Sequence, residues 1–199
     1  MKITWLLAGL LVAASATSAM AAGTYVGASV GPSFFHDSDI SESGFPSATA
    51  SYDTGFVFNV GAGHKFDSGV RLEGEFGYKK ADLSSASLLG ITVSPTDSDQ
   101  RVMSFMFNGF YDFNLNSSFT PFLGAGVGAL HGKVTSSSED FEDTVFGYQV
   151  SAGVSYSASK NVNLDLSYRF EGAATDFDMG GSDVSYHSSN ILVGVRYTF

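Results

Sequence analysis

The sequence predicts an all-β fold, an eight-stranded antiparallel up-and-down transmembrane β-barrel. Three observations carry it. The final nine residues set Ile191, Val193, Val195, Tyr197 and Phe199 on one face and Leu192, Gly194, Arg196 and Thr198 on the other. An apolar row finished by aromatics suits a strand whose outer face meets lipid and whose end meets the membrane interface. The same alternation recurs along the chain, and the connections between the alternating segments are short and long by turns.

The first strand is expected from Thr24 to about Phe34, with Val26, Ala28 and Val30 opposite Tyr25, Gly27, Ser29 and Gly31. The second, Phe56 to Phe66, opposes Phe56, Phe58, Val60 and Ala62 to Asn59, Gly61, Gly63 and Lys65. In the third, Val70 to Tyr78, the rows are Val70, Leu72, Phe76 and Tyr78 against Arg71, Glu73 and Glu75. The fourth, Val102 to Phe113, sets Met103, Phe105, Phe107 and Tyr111 against Ser104, Asn108 and Asp112. The fifth, Thr120 to about Leu130, has Leu123, Ala125 and Val127 on one side and Gly124, Gly126 and Gly128 on the other. The sixth runs from Phe146 to Tyr156 and the seventh from Val162 to Phe170, where Leu164, Leu166 and Tyr168 oppose Asp165 and Arg169. The eighth is the final segment. Segments of about 9–11 residues suffice to cross a bilayer when tilted.

Asp67-Ser68-Gly69, Asn114 to Ser118 and Ser157 to Asn161 are short turns of Asn, Asp, Ser and Gly. Four longer polar connections, His36 to Thr54, Lys80 to Gln100, His131 to Val145 and Gly172 to Ser188, are expected on the opposite, extracellular side. Most of the acidic residues fall in these loops, where Lys80, Arg101 and Lys133 are the basic ones. Contact of such an acidic rim with anionic lipopolysaccharide is expected to run through divalent cations.

A soluble lipocalin-like barrel would place its apolar face inside. Two features favour the reverse. Phe66, Tyr111, Phe113, Phe119, Tyr156, Tyr197 and Phe199 cluster beside the short turns, as an interfacial girdle does. The polar face carries the mid-strand charges in balance: Lys65, Arg71, Arg169 and Arg196 against Glu73, Glu75, Asp112 and Asp165. Charges confined in a narrow interior must be paired, so these eight are expected to form a luminal network that plugs the barrel. The first hairpin turn suggests pairing Gly63 with Glu73 and Gly61 with Glu75, and Arg169 is the expected partner for Glu73 or Glu75.

Composition bounds the rest. The chain has 199 residues, 44% of them hydrophobic and 15% charged, with no cysteine and a formal net charge of −10. That charge excludes nucleic-acid binding by a basic surface, and no disulfide framework is available. Lys2, the apolar run Ile3 to Ala14 and Ala19-Met20-Ala21 form a secretory signal peptide, expected to be cleaved after residue 21, with the barrel as residues 22–199. The expected location is the outer membrane of a Gram-negative bacterium.

Thr24-Tyr25-Val26-Gly27-Ala28, Arg71-Leu72-Glu73-Gly74-Glu75, Tyr111-Asp112-Phe113, the run Phe119-Thr120-Pro121-Phe122-Leu123-Gly124 with its Gly-rich continuation, and the terminal Val193 to Phe199 resemble the small outer-membrane barrels. These include the barrel domain of outer membrane protein A and the "porin family" surface antigens of Gram-negative bacteria. The resemblance implies eight strands. It also implies that the terminal strand, with Tyr197 and Phe199, is the assembly signal read by the barrel-assembly machinery.

No metal-ligand spacing occurs among His36, His64, His131 and His187, and no cofactor is expected. His187-Ser188-Ser189-Asn190 matches the His-x-Ser-Asn spelling of outer-membrane lipid A deacylases, with His187 and Ser189 on one face as base and nucleophile. The same residue types are common where a loop enters a strand, and the expectation is that the protein is not an enzyme. The function expected is that of a monomeric surface protein acting through its extracellular loops in adhesion, surface interaction or envelope integrity. Its partners would be outer-membrane lipid, lipopolysaccharide and a host or surface ligand. A narrow small-solute channel is the alternative.

Overall fold

The structure, a computed structural model, describes residues 23–36, 38–42, 48–52, 54–88, 91–93, 99–135, 140–178 and 182–199. The expected signal peptide, residues 1–21, lies outside them. The strands among the described residues are, in chain order, β1 (Thr24–Phe35), β2 (Ser38–Glu42), β3 (Ala48–Tyr52), β4 (Gly55–Lys65), β5 (Val70–Leu88), β6 (Ile91–Val93), β7 (Asp99–Asp112), β8 (Phe119–Thr135), β9 (Asp140–Ser157), β10 (Val162–Ala173), β11 (Phe177–Asp178), β12 (Ser182–Val184) and β13 (His187–Thr198).

Eight of these close into an antiparallel barrel in the order β5-β4-β1-β13-β10-β9-β8-β7, with β7 returning to β5. Closure leaves no sheet edge in the lipid, where an unpaired backbone group would be costly. At the seam, Val26 faces Tyr197 and Val30 faces Val193. Short turns set the register at three hairpins, β4–β5, β7–β8 and β9–β10. Phe66 N donates to Val70 O at 2.8 Å, and Gly69 has φ 88°, where a Cβ would lie 2.9 Å from the Asp112 carbonyl oxygen. Only glycine fits that conformation and that approach. The hairpin then pairs Gly63 with Glu73 and Gly61 with Glu75.

The wall is inside out relative to a water-soluble barrel. Outward-facing Phe105, Phe107, Leu123, Phe146, Leu166 and Val193 are exposed, while Arg71, Glu73, Glu75, Lys79, Asp112, Arg169, Glu171 and Arg196 are buried. An apolar exterior around a charged interior matches a barrel bathed in lipid. The girdle beside the short turns is made of ring pairs: Tyr111 with Phe113 (centroids 5.1 Å apart), Phe119 with Tyr156 (5.0 Å) and Tyr197 with Phe199 (5.3 Å).

The expected strand ends need correction on the extracellular side. β5 runs on to Leu88 instead of ending at Tyr78, β8 reaches Thr135, and β9 begins at Asp140. The described parts of the long connections are therefore largely strand, and β2, β3, β6, β11 and β12 add a second sheet that continues from the end of β5. The physical reason is that a strand beyond the membrane needs no apolar row. Its backbone pairs as before, but the period-two signal fades where neither face meets lipid.

Candidate functional site

The lumen is filled in three layers. At the periplasmic end, Arg71 Nε donates to Asp112 Oδ1 at 2.9 Å, and the Nζ of half-exposed Lys65, on the strand next to Arg71, lies 2.8 Å from Asp112 Oδ2. The Arg71 guanidinium sits over the Phe110 ring at 4.4 Å and the Phe122 ring at 5.1 Å, a stacked arrangement that suits its flat, weakly hydrated face. Across the lumen, Arg196 grips Asp165 in two bonds, Nε to Oδ2 at 2.5 Å and Nη2 to Oδ1 at 3.0 Å, and Nη2 also reaches Ser155 Oγ at 2.6 Å.

In the middle layer, Arg169 Nη1 donates to Glu75 Oε1 at 2.6 Å. Gln149 Nε2 joins Glu75 Oε1 at 3.3 Å to Asn108 Oδ1 at 2.6 Å. Glycines make this possible. A Cβ on Gly61 would come within 3.2 Å of the Glu73 side chain, and one on Gly126 would strike Asn108. Between the two lower layers lies a cavity of about 60 Å³ lined in part by Arg71, Glu73, Glu75, Arg169 and Arg196. That is space for about two waters.

The upper layer pairs Lys79 with Glu171, and Tyr186 Oη donates to the same Glu171 oxygen at 2.9 Å. Above it an apolar stopper closes the extracellular mouth: Phe35, Ala81, Val102, Met106, Leu130, Val145, Phe177, Val184 and Tyr186. Phe177 and Val184 arrive from the last long connection, and the Phe177 ring packs where a Cβ on Gly132 would fall, 3.0 Å away. Every one of the eight charged residues grouped from the sequence thus points inward, joined by Lys79 and Glu171.

The outer wall carries the His-x-Ser-Asn segment. Ser188 and Asn190 are buried in the lumen, whereas His187 and Ser189 face outward. The His187–Ser189 contact that the lipid A deacylase spelling would need, the lesser reading of this segment, is not what the described residues form: the ring that reaches Ser189 Oγ is that of His36, whose Nε2 is 2.9 Å away, and Tyr168 Oη lies at 2.9 Å on the same oxygen. His187 instead stacks on Phe170, centroids 5.7 Å apart. Adjacent strands β1 and β13 put His36 nearer to Ser189 than sequence proximity suggests.

The pattern of the outer membrane protein beta-barrel domain matches residues 4–199. The chain belongs to that family. As an outer membrane protein beta-barrel it sits in the outer membrane of a Gram-negative bacterium. Outer membrane protein PagN of Salmonella typhimurium is 26% identical over 123 residues, covering 50% of this chain and 50% of PagN, so the chain spans about half the length of that relative. The candidate adhesin RC1281 of Rickettsia conorii is 26% identical over 174 residues, 73% of this chain and 68% of that protein. Among solved structures, Neisserial surface protein A superposes with a TM-score of 0.62 at 25% identity, covering 89% of this chain and 97% of that one. OprG of Pseudomonas aeruginosa shares the fold, with a TM-score of 0.58 at 16% identity and coverage of 88% and 96%.

Within this family barrel, sequence reasoning left out the apolar part of the lumen filling. Phe110 and Phe122 stand beside outward Tyr111 and Leu123, so a hydrophobicity pattern reads them as noise, whereas Tyr25 already falls on the inward row of the first strand. Their signal was position: each is an odd neighbour of a lipid-facing residue, hence inward. Phe177 and Tyr186 carry no such periodic cue, because they belong to a connection that folds back into the mouth.

Proposed function

We propose that this outer-membrane barrel is a surface protein that acts through its extracellular connections, in adhesion, surface interaction or envelope integrity, with the lumen serving as a plugged support. The observation that carries the reading is the combination of a filled interior with strands that outlast the membrane on one side only. The likeness to the candidate adhesin RC1281 supports it. A rigid barrel that holds recognition segments clear of the membrane is a common division of labour between scaffold and loops. Tyr197 and Phe199 are the residues offered to the barrel-assembly machinery, and a host or surface ligand is the partner of the loops.

The test is adherence of bacteria producing the full chain to epithelial cells and to immobilised matrix proteins. A second strain carries residues 81–100 and 134–143 replaced by short turns, with outer-membrane insertion verified by heat-modifiable gel mobility. Loss of adherence with insertion retained is the expected result. Equal adherence by the trimmed barrel, or large steady currents from the intact one in planar bilayers, overturns the reading.

A further inference from the structure

The sequence scatters Lys80, Arg101 and Lys133 among long connections. The register brings them into one row: Lys80 faces Arg101 across β5 and β7, and Arg101 faces Lys133 across β7 and β8. All three are on the outward face, with Arg101 exposed. They are the only outward-facing Lys or Arg among the described barrel-strand residues, since Lys65, Arg71, Lys79, Arg169 and Arg196 face inward.

Their height is set by the same register. Val70, Tyr111 and Leu123 form one row at the periplasmic end, and each cation lies ten residues along its strand from that row. Ten residues in a strand tilted by about 40° climb roughly 25 Å, the height of the apolar band of an outer-membrane barrel. The cations therefore stand at the far edge of the hydrocarbon, side by side on neighbouring strands. Beneath them lie Tyr78, Met103 and His131, then Phe76, Phe105 and Ala129, a wall for acyl chains. Like charges opposite one another on neighbouring strands are unfavourable by themselves. Each residue also interacts within the protein, and Glu142 stands opposite Lys133, so the row is three cations ended by one anion.

The geometry points to a binding row for the phosphate of a phosphorylated outer-leaflet glycolipid, with Arg101 at its centre and Lys80 and Lys133 on either side. A guanidinium takes a phosphate through paired N–H donors, and flanking ammonium groups add charge without fixed geometry. Acyl chains of the same lipid lie on the apolar wall below, which is why the occupant is a lipid and not free phosphate. This contact is direct, unlike one bridged by divalent cations to an acidic rim.

The experiment measures thermal unfolding of the full-length barrel in zwitterionic vesicles containing a minor fraction of lipid A, of enzymatically dephosphorylated lipid A, or with inorganic phosphate in the buffer. A ligand that binds only the folded form raises the midpoint. The expected result is a rise with lipid A that is mostly lost on dephosphorylation and absent with inorganic phosphate. The triple variant Lys80→Gln, Arg101→Gln, Lys133→Gln should lose most of the lipid A rise, while Lys160→Gln, in a periplasmic turn, should keep it. An equal rise with dephosphorylated lipid A overturns the proposal even if the triple variant does not fold. A full rise in a folded triple variant, or an equal rise with inorganic phosphate, overturns it as well.

Discussion

Arg169 Nη1 lies 2.6 Å from Glu75 Oε1, on strands that are not neighbours in the barrel, so this ion pair spans the lumen and ties opposite walls together. Both side chains are nearly inaccessible to solvent, at 8% and 5%. Removing one partner leaves a confined charge. Arg169→Ala should therefore cost about 3–5 kcal/mol, less where water enters the neighbouring cavity. Adding Glu75→Ala should restore part of it. Urea midpoints from circular dichroism of the vesicle-inserted protein check both, since Trp5, the single tryptophan, precedes the expected cleavage site. A double variant no better than the single one contradicts the coupling.

Leu166 and Ser167 are consecutive but face opposite media. Leu166 is 52% exposed toward lipid, and Ser167 lines the luminal cavity. Leu166→Arg should cost roughly 2–4 kcal/mol near the bilayer midplane. Ser167→Arg should be milder, because the new cation enters a polar cavity that Asp165, Glu73 and Glu75 also line. Folding yields from urea into vesicles should rank in that order.

Glycines on the two faces should respond differently to a methyl group. At Gly124 an added Cβ collides with the Phe110 ring, and at Gly74 it meets nothing within 4 Å. Overpacking of this kind costs about 1–3 kcal/mol. Gly124→Ala should lower the midpoint measurably while Gly74→Ala leaves it within error.

The stopper and the charges act in series. Phe177→Ala with Tyr186→Ala opens the extracellular mouth but leaves Arg71, Arg169 and Arg196 in place, so single-channel recordings should show little added current. Combining these changes with Arg169→Ala should give discrete openings. Large openings from the stopper variant by itself would mean that the lower layers conduct.

The barrel was legible in the sequence because lipid on one side and a crowded interior on the other impose a strict period of two. The residues that carry it are those the structure exposes and buries, from Val26 and Tyr25 in β1 to Tyr197 and Arg196 in β13. The inward direction of Arg169 and Glu75 followed from that alternation, and the height of Arg169 on its strand named Glu73 or Glu75 as its partner, of which the structure selects Glu75. Tertiary events were not legible. Phe177 folds into the mouth from a segment with no periodicity, and the pairing of His36 with Ser189 depends on a seam between distant parts of the chain. Lys80, Arg101 and Lys133 read as loop residues because strands beyond the membrane lose the pattern that would have fixed their height.

The seam has a kinetic consequence. β1 and β13 come from opposite ends of the described chain, and their pairing reaches Phe199 N on Thr24 O at 3.0 Å. The other seven junctions of the ring join strands closer together along the chain, most of them hairpins that can form early. Joining the ends has to overcome the loop-closure entropy of nearly the whole barrel before any of its hydrogen bonds form. Zipping of β1 against β13 is thus the late, committing step of assembly. Once made, it locks every other strand, so the folded barrel comes apart as a unit or not at all.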